Sequence, residues 1–321
     1  MTDNTKKLLN IFDKISLIRE CEKAIISEYH KDEMKTPMHM SWGEEAPIAS
    51  LVEILGDRGQ YFGTYRTHAL HLSVTNNPTE FFGEMFGKVS GSCGGRGGSM
   101  HLCAIDKGMF NSSAIVGGNI SVAVGAAYTA KLQQKNIHPV AVFGDGATDA
   151  GTFWESLNLA GLHQLPMVFL CLDNDLAVHT SDDVRKGLNW RNLESVVESF
   201  GISYHEVESA DASVVMEAIQ KMVQNDLEHG RPCFLRAKWF RLLEHVGIDT
   251  DFEAGYRKKP SDEELFNWDP LEQTRNSLIS MQVSSEDLVN IEKENKQRAY
   301  AAIQSARKAE FADIKSILEH V

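Results

Sequence analysis

The spacing of apolar residues divides the chain into a helical start, an alternating centre and a helical end. Over residues 6–33 apolar side chains recur every three or four positions, which predicts a long helix. Shorter helices are predicted over residues 44–55 and 78–86. The stretch 89–99, VSGSCGGRGGS, is rich in glycine and serine, so it predicts an irregular loop.

The centre alternates between short apolar runs, typical of strands, and segments with helical spacing. The apolar runs are continuous along the chain, as expected for strands that are buried on both faces of a sheet. This order predicts the α/β class, with a parallel sheet and helices on both of its faces. The predicted strands are 139–143, 167–172, 202–207 and 233–237, and the predicted helices are 151–162 and 214–223.

The pattern changes again after Gly255. Residues 256–284 are polar and contain two prolines, and residues 285–319 predict one or two amphipathic helices. We therefore expect one α/β domain with helical extensions at both ends. This single domain, 1–321, is expected to consist of an N-terminal helical arm (1–60), a core sheet (61–257) and a C-terminal helical tail (258–321).

Composition and charge narrow the possible functions. Apolar residues make up 42% of the chain, and no apolar run approaches the ~20 residues that span a bilayer, so we expect no membrane association. The net charge of −13 argues against nucleic acid as a partner, because phosphate binding needs clustered Lys and Arg. Five scattered cysteines favour a reducing cytoplasm, and the spacing Cys93…His101…Cys103 fits no zinc pattern.

Two polar motifs follow neighbouring segments of the predicted sheet. Gly144-Asp145-Gly146-Ala147 follows the strand 139–143 and precedes a helix, an arrangement that brings backbone N–H groups close to an anion. Asn174 follows the next strand, 29 residues after Asp145. A carboxylate, an amide oxygen and a main-chain carbonyl supply half of an octahedral Mg²⁺ shell, and phosphates and water usually complete it. Both motifs also suit ordinary turns, but their paired spacing favours a magnesium–diphosphate site.

Longer motifs resemble one family of thiamine enzymes. The GDG motif with an asparagine about thirty residues later resembles the thiamine-diphosphate signature. Four further motifs occur in the same order in α subunits of 2-oxo acid dehydrogenases, with pyruvate and acetoin dehydrogenases the nearest. These motifs are SWGEEA at 41–46, TYRTH at 64–68, RGGSMH at 96–101 and AIVGGNISVAVGAA at 114–127.

The resemblance implies the thiamine-diphosphate-binding fold of the diphosphate-binding type, and it implies roles for individual residues. Asp145, Asn174 and the Leu176 carbonyl would bind Mg²⁺. His245 would be the active-site histidine, with His68 as a second catalytic candidate. The residues implied to contact the cofactor are Tyr65, Arg66, Ala114, Val116, Gly144, Asp145, Gly146, Ala147, Asn174, Arg241 and His245.

The resemblance also implies partners and a substrate class. Thiamine diphosphate and Mg²⁺ would be the cofactors, and a small 2-oxo acid or acetoin-like carbonyl compound would be the substrate. A β subunit would complete the active site in a tetramer of two α and two β chains, with a lipoyl-bearing acyltransferase as the group acceptor. Two alternatives remain open: a transketolase-like C–C transferase split over two chains, and a non-enzymatic nucleotide-binding α/β protein.

The chain departs from the family at two positions beside these motifs. Asp173 stands where relatives commonly have asparagine, which adds negative charge next to the predicted ligand Asn174. Val246 stands where mitochondrial relatives carry a serine that is phosphorylated, so regulation at that position is expected to be absent.

Overall fold

A six-stranded sheet forms the centre of the computed structural model, which describes residues 2–187, 190 and 192–315. The strand order is β2-β1-β3-β4-β8-β7, and all neighbouring strands in this sheet run parallel. A separate antiparallel pair, β5 and β6, follows β4. The strands are β1 Gly59–Thr64, β2 Met109–Ser113, β3 His138–Gly144, β4 Val168–Asp173, β5 Leu176–Ala177, β6 Thr180–Ser181, β7 Ser203–Glu208 and β8 Cys233–Lys238.

Helices cover both faces of this sheet, which confirms the predicted fold class. The first six are α1 Asp3–Glu28, α2 Glu45–Leu55, α3 His68–Thr75, α4 Pro78–Met85, α5 Gly118–Leu132 and α6 Gly151–His163. The later ones are Asp182–Arg185, Leu193–Ser199, Ala212–Asn225, Asp262–Asn267, Pro270–Ser280 and Ser285–Lys308. Within the described part of the chain, no helix combines the length and apolarity needed to cross a membrane.

Alternating side chains of the central strands build one core on each face of the sheet. In β3, Val140 and Val142 pack on one side with α1 and α2. Ala141 and Phe143 pack on the other side with α5 and α6. This alternation follows from the two-residue period of a strand. The strands are buried on both faces, as their continuous apolar runs predicted.

The two helical extensions form one layer. The C-terminal helix Ser285–Lys308 packs along α1, and the Asn295 amide nitrogen donates to the Asp13 backbone oxygen at 3.1 Å and to its carboxylate at 2.8 Å. Residues 316–319 of the predicted C-terminal helices lie outside the described residues. The predicted arm and tail therefore pack together against one face of the sheet.

A buried arginine joins this layer to the rest of the fold. Arg19 of α1 is 2% exposed, and it pairs with Glu45 of α2 at 2.8 Å and with Asp269 at 2.9 Å. Asp269 also caps the helix Pro270–Ser280 by accepting its first backbone N–H groups. A buried cation needs such partners because desolvation of an unpaired charge costs several kcal/mol. Arg19 thus fixes three helices relative to one another.

Candidate active site

The two predicted metal-binding residues meet at the carboxyl edge of the sheet. Strands β3 and β4 are neighbours, with Gly144 opposite Leu172. Asp145 directly follows Gly144, Asn174 is the first residue after β4, and both line one cleft together with Leu176. The Asn174 side-chain oxygen accepts a hydrogen bond from the Leu176 N–H at 3.2 Å. The local turn therefore brings the three expected ligands to one place.

Asp145 lies in a group of three acidic side chains. Carboxylate oxygens of Asp145, Asp173 and Asp182 lie within 4.8 Å of one another. Burial raises the pKa of Asp145 to about 8, and the charges of Asp173 and Asp182 contribute to this rise. Two cations of the same segment offset the acids: Arg185 pairs with the Asp145 carboxylate at 2.5 Å, and the Lys186 ammonium donates to the Asp145 backbone oxygen at 3.0 Å.

These oxygen donors fit a hard divalent cation. Carboxylate, amide and carbonyl oxygens are the protein ligands that Mg²⁺ accepts. The N-terminus of the helix that follows the Asp145 turn favours an anion beside the metal. Gly146 packs closely on β5, since a Cβ there would lie 3.1 Å from the Ala177 side chain. Asp145, Asn174 and the Leu176 carbonyl would hold the ion, and Arg185 would have to leave the Asp145 carboxylate.

Replacing Arg185 with methionine is expected to tighten Mg²⁺ binding about tenfold. Arg185 competes with the ion for Asp145, and a hydrogen bond to a charged group contributes about 1.5–3 kcal/mol. Magnesium titration calorimetry in the presence of thiamine diphosphate would measure the change. Arg231→Met is the control, because Arg231 stands before the amino end of β8 and pairs with Asp226. Weaker Mg²⁺ binding by the Arg185 variant would contradict this competition.

The family departure at Asp173 is balanced by the neighbouring strand. The Asp173 side chain is fully buried, and it pairs with Arg236 at 2.6 Å and with Lys238 at 3.2 Å, both on β8. Its other oxygen accepts the Asp175 N–H at 2.9 Å. Two cations therefore offset the added negative charge, and Asp173 shapes the turn that carries Asn174.

The opposite wall of the cleft carries an arginine below a group of aromatic rings. Arg66 is 7% exposed, and its guanidinium donates to the His245 backbone oxygen at 3.2 Å. The Tyr65 ring lies 4.5 Å from the His39 ring and 5.5 Å from the His245 ring, measured between centroids. Sequence reasoning missed His39, although it stands two residues before the SWGEEA motif. The loop after β8 thus packs on the segment before α2.

His245 is neutral at pH 7. Burial, followed by the positive charges of Arg66 and Arg241, lowers its pKa to about 3. A neutral imidazole can donate one N–H and accept one hydrogen bond. His245 therefore has the protonation state of a hydrogen-bonding group or a base, and a bound anion nearby would favour its protonation.

The remaining predicted residues fall into two groups. Gly144, Gly146, Ala147 and Val116 line the cleft, as do Tyr65 and Arg66. Three others, Ala114, Arg241 and His68, lie outside the lining of the cleft. The Arg241 guanidinium donates to the Val178 carbonyl at 2.9 Å and to the Tyr256 hydroxyl at 2.6 Å. The His68 ring is fully buried, with Glu22 and Ser99 each 2.7 Å from one of its nitrogens. The cofactor and catalytic roles of all these residues stay predictions.

Glu44 lines the cleft, and sequence reasoning missed it as well. It is 1% exposed, and its Oε1 has no hydrogen-bond partner among the described residues. Burial raises the pKa of Glu44 to about 8, which leaves a mostly protonated carboxyl group at pH 7. Glu44 belongs to the SWGEEA motif, which could have indicated a role for it. The motif alone does not show that Glu44 lines the cleft while the adjacent Glu45 pairs with Arg19.

Comparison with known proteins agrees with this geometry. The dehydrogenase E1 component family profile matches residues 13–315. The chain belongs to the dehydrogenase E1 component family. The acetoin:2,6-dichlorophenolindophenol oxidoreductase α subunit of Cupriavidus necator is 32% identical over 76% of this chain and 72% of its own length. The pyruvate dehydrogenase E1 α subunit of Porphyra purpurea is 28% identical over 88% of this chain and 83% of its own.

Further relatives place this E1 chain with the α subunits. The acetoin:2,6-dichlorophenolindophenol oxidoreductase α subunit of Bacillus subtilis is 28% identical over 85% of the chain and 81% of its own length. The chain is thus an α subunit of a thiamine-diphosphate-dependent dehydrogenase, and such a subunit implies a β-subunit partner. The resemblance drawn from the motifs is confirmed, and neither alternative class finds support.

Proposed function

We propose that this E1 α chain binds the magnesium–diphosphate end of thiamine diphosphate in the cleft between Asp145, Asn174 and Arg66. The observation that carries the proposal is the meeting of Asp145 and Asn174 at neighbouring strand ends, across the cleft from Arg66 and His245. Oxygen ligands on one wall suit the metal, and a buried guanidinium on the other suits phosphate oxygens. Gly146 and Ala147 would donate backbone N–H groups between them.

The chain's own residues then act on orientation and protons. Arg66 is fixed by the carbonyl oxygens of Met40 and His245, so its charge is pre-positioned for an anion. The neutral His245 ring lines the same cleft and can exchange a proton with a reacting oxygen. When bound, thiamine diphosphate would supply a carbon nucleophile for the substrate carbonyl. The protein contributes position, charge and proton transfer.

We assign a small 2-oxo acid or an acetoin-like compound as the substrate. The assignment rests on the relatives, whose names specify acetoin and pyruvate. A lipoyl-bearing acyltransferase is our proposed acceptor, and it stays a prediction, as does the cytoplasmic location. Activity of the assembled enzyme against a panel of 2-oxo acids, diketones and acetoin, with lipoamide or a dye as acceptor, would identify the substrate.

An uncovered apolar helix face supports assembly with further chains. Helix α5, GNISVAVGAAYTAKL, has one charged side chain, and a helix that is apolar on all faces is normally buried. Its outer side chains Val122 and Leu132 are exposed, as is Leu162 on the adjoining helix α6. The two helices meet where the Tyr128 and His163 rings lie 5.1 Å apart. We propose that this face contacts another chain in a tetramer of two α and two β subunits.

The purified chain alone is expected to show no decarboxylase or dehydrogenase activity, and activity is expected when a cognate β chain is added. The chain supplies the diphosphate side of the site, and its C-terminal residues form helices on α1 and offer no second sheet domain among the described residues. Steady-state assays with thiamine diphosphate and Mg²⁺ would compare the separate and mixed chains. Turnover by the isolated α chain would refute the need for a partner.

The same mixture tests the assembly face. Leu162→Glu places a charge on the exposed apolar patch and is expected to reduce the assembled fraction at least tenfold in sedimentation velocity. Val214→Glu is a matched control, because Val214 is also exposed but lies on the helix Ala212–Asn225 on the other face of the sheet. Equal assembly of both variants would show that the α5–α6 face is not the contact.

A further inference from the structure

The glycine-rich loop that follows α4 is held by a single buried carboxylate. Glu84 is 1% exposed and accepts hydrogen bonds from loop N–H groups through both of its oxygens. The donors are Cys93 at 2.8 Å, Gly95 at 2.9 Å, Gly97 at 2.6 Å and Gly98 at 3.0 Å. Gly95 has φ +77°, and a Cβ there would lie 2.4 Å from the Gly87 carbonyl carbon. These hydrogen bonds and the close packing of Gly95 fix the backbone conformation of the loop.

This loop conformation brings two thiols into contact. The Cys93 and Cys103 sulfur atoms lie 3.4 Å apart, and both side chains are partly exposed. The other three cysteines, Cys21, Cys171 and Cys233, are fully buried. We propose that Cys93 and Cys103 form a reversible redox pair, which peroxide oxidises to a disulfide that closes residues 93–103 into a ring. The site is independent of the proposed cofactor cleft.

The two thiols have different chemical roles. The Cys93 thiol can donate to the His101 carbonyl oxygen at 3.1 Å or to the Cys103 sulfur at 3.4 Å, and donation to the sulfur lowers the pKa of Cys103 to about 7. The pKa of Cys93 is raised by the same contact, followed by burial. Because the thiolate is the reactive form of cysteine, Cys103 is the attacking group and Cys93 is the resolving group.

The oxidation balances with hydrogen peroxide as the only co-reactant. The Cys103 thiolate attacks one peroxide oxygen, the O–O bond breaks, and the leaving hydroxide takes up a proton to become water. The Cys93 sulfur then attacks the sulfenic sulfur of Cys103, the S–O bond breaks, and a second water leaves with the Cys93 proton. Two thiols lose two electrons to peroxide, and a dithiol reductant restores them by thiol–disulfide exchange.

The loop geometry favours ring closure over other oxidation products. A disulfide needs sulfur atoms about 2.05 Å apart, so the observed 3.4 Å has to shorten by little more than an ångström. Glu84 already fixes the backbone of Cys93, so little additional conformational entropy is lost on closure. Intracellular disulfides are typically transient and redox-sensing, and a partly exposed pair on a surface loop suits that behaviour.

Peptide mapping of the full-length protein tests the proposal directly. Trypsin cleaves after Lys88, Arg96 and Lys107, so the two cysteines fall on separate peptides, 89–96 and 97–107. After mild peroxide treatment we expect these two peptides to be linked, and a dithiol to separate them. The titratable thiols of the unfolded protein should fall from five to three, since two of the five cysteines are consumed. Peptides that stay unlinked, or that link to a buried cysteine, would overturn the pair.

Two substitutions at one position test the division of roles. Cys93→Ala removes the hydrogen-bond donor, so alkylation of Cys103 by iodoacetamide at pH 7 is expected to slow about tenfold, as its thiolate fraction returns to that of a free cysteine. Cys93→Ser keeps a donor and is expected to retain a rate within about threefold of the parent. An unchanged rate in Cys93→Ala would overturn the activation of Cys103 by Cys93.

Discussion

Asp145→Ala is expected to abolish magnesium-dependent binding of thiamine diphosphate, with a loss of affinity of at least about 100-fold. Changes in the groups that merely orient a metal ligand already cost about 10–100-fold in metal affinity, and Asp145 is proposed as the one charged ligand. Its carboxylate lies at the end of β3 beside Asn174, and the neighbouring Asp173 carboxylate of β4 is already paired with Arg236 and Lys238.

Calorimetric titration of thiamine diphosphate at fixed Mg²⁺ measures this loss. Asp145→Asn keeps the size of the side chain and removes the charge, so it separates the ligand role from packing. Asp183→Ala is the control, because Asp183 is an exposed acid of the same region that stands outside the three-carboxylate group. Unchanged cofactor affinity in Asp145→Ala, with a normal melting temperature, would refute the metal assignment.

His245→Ala is expected to lower turnover of the assembled enzyme by ~10²–10⁴, with cofactor affinity changed less than about fivefold. A positioned proton-transfer group contributes a rate factor of this size. His245 contacts Arg66 mainly through its backbone oxygen at 3.2 Å, and this contact survives truncation of the ring. The variant should therefore keep the anion-binding arginine in place.

The measurement separates binding from chemistry. Turnover and thiamine diphosphate affinity are determined on the same assembled preparation, and His229→Ala serves as the control because His229 is exposed and distant from the cleft. A turnover within threefold of the parent would exclude a catalytic role for His245. An equal fall in affinity and turnover would instead assign it to cofactor binding.

The sequence predicted β3, β4, β7 and β8 and missed the strands that no hydrophobic run marks. β3 and β4 were found because their residues are almost all buried and apolar. β1, GQYFGT, and β2, MFNSS, contain glycine and polar residues, so no hydrophobic run marks them. Helix α5 was missed because it is mostly apolar without the one-sided pattern of a surface helix.

The candidate site was predictable where chemistry lies in short motifs and unpredictable where it depends on distant contacts. Asp145 and Asn174 could be paired because a parallel sheet brings successive strand ends to one edge. The pairing of Arg185 with Asp145 joins residues 40 positions apart, and no spacing rule signals it. His39 was missed for the same reason, since its contact with His245 depends on how the loop after β8 returns to the segment before α2.

The packing of α1 against the helix Ser285–Lys308 has a consequence for synthesis. Leu8, Ile11 and Ile15 of α1 belong to a buried core, yet one of the helices that covers α1 leaves the ribosome almost three hundred residues later. Contacts between such distant parts of a chain form late, because a long loop has to close first. Until then α1 presents an apolar stripe, and we expect a chaperone to bind the nascent chain there.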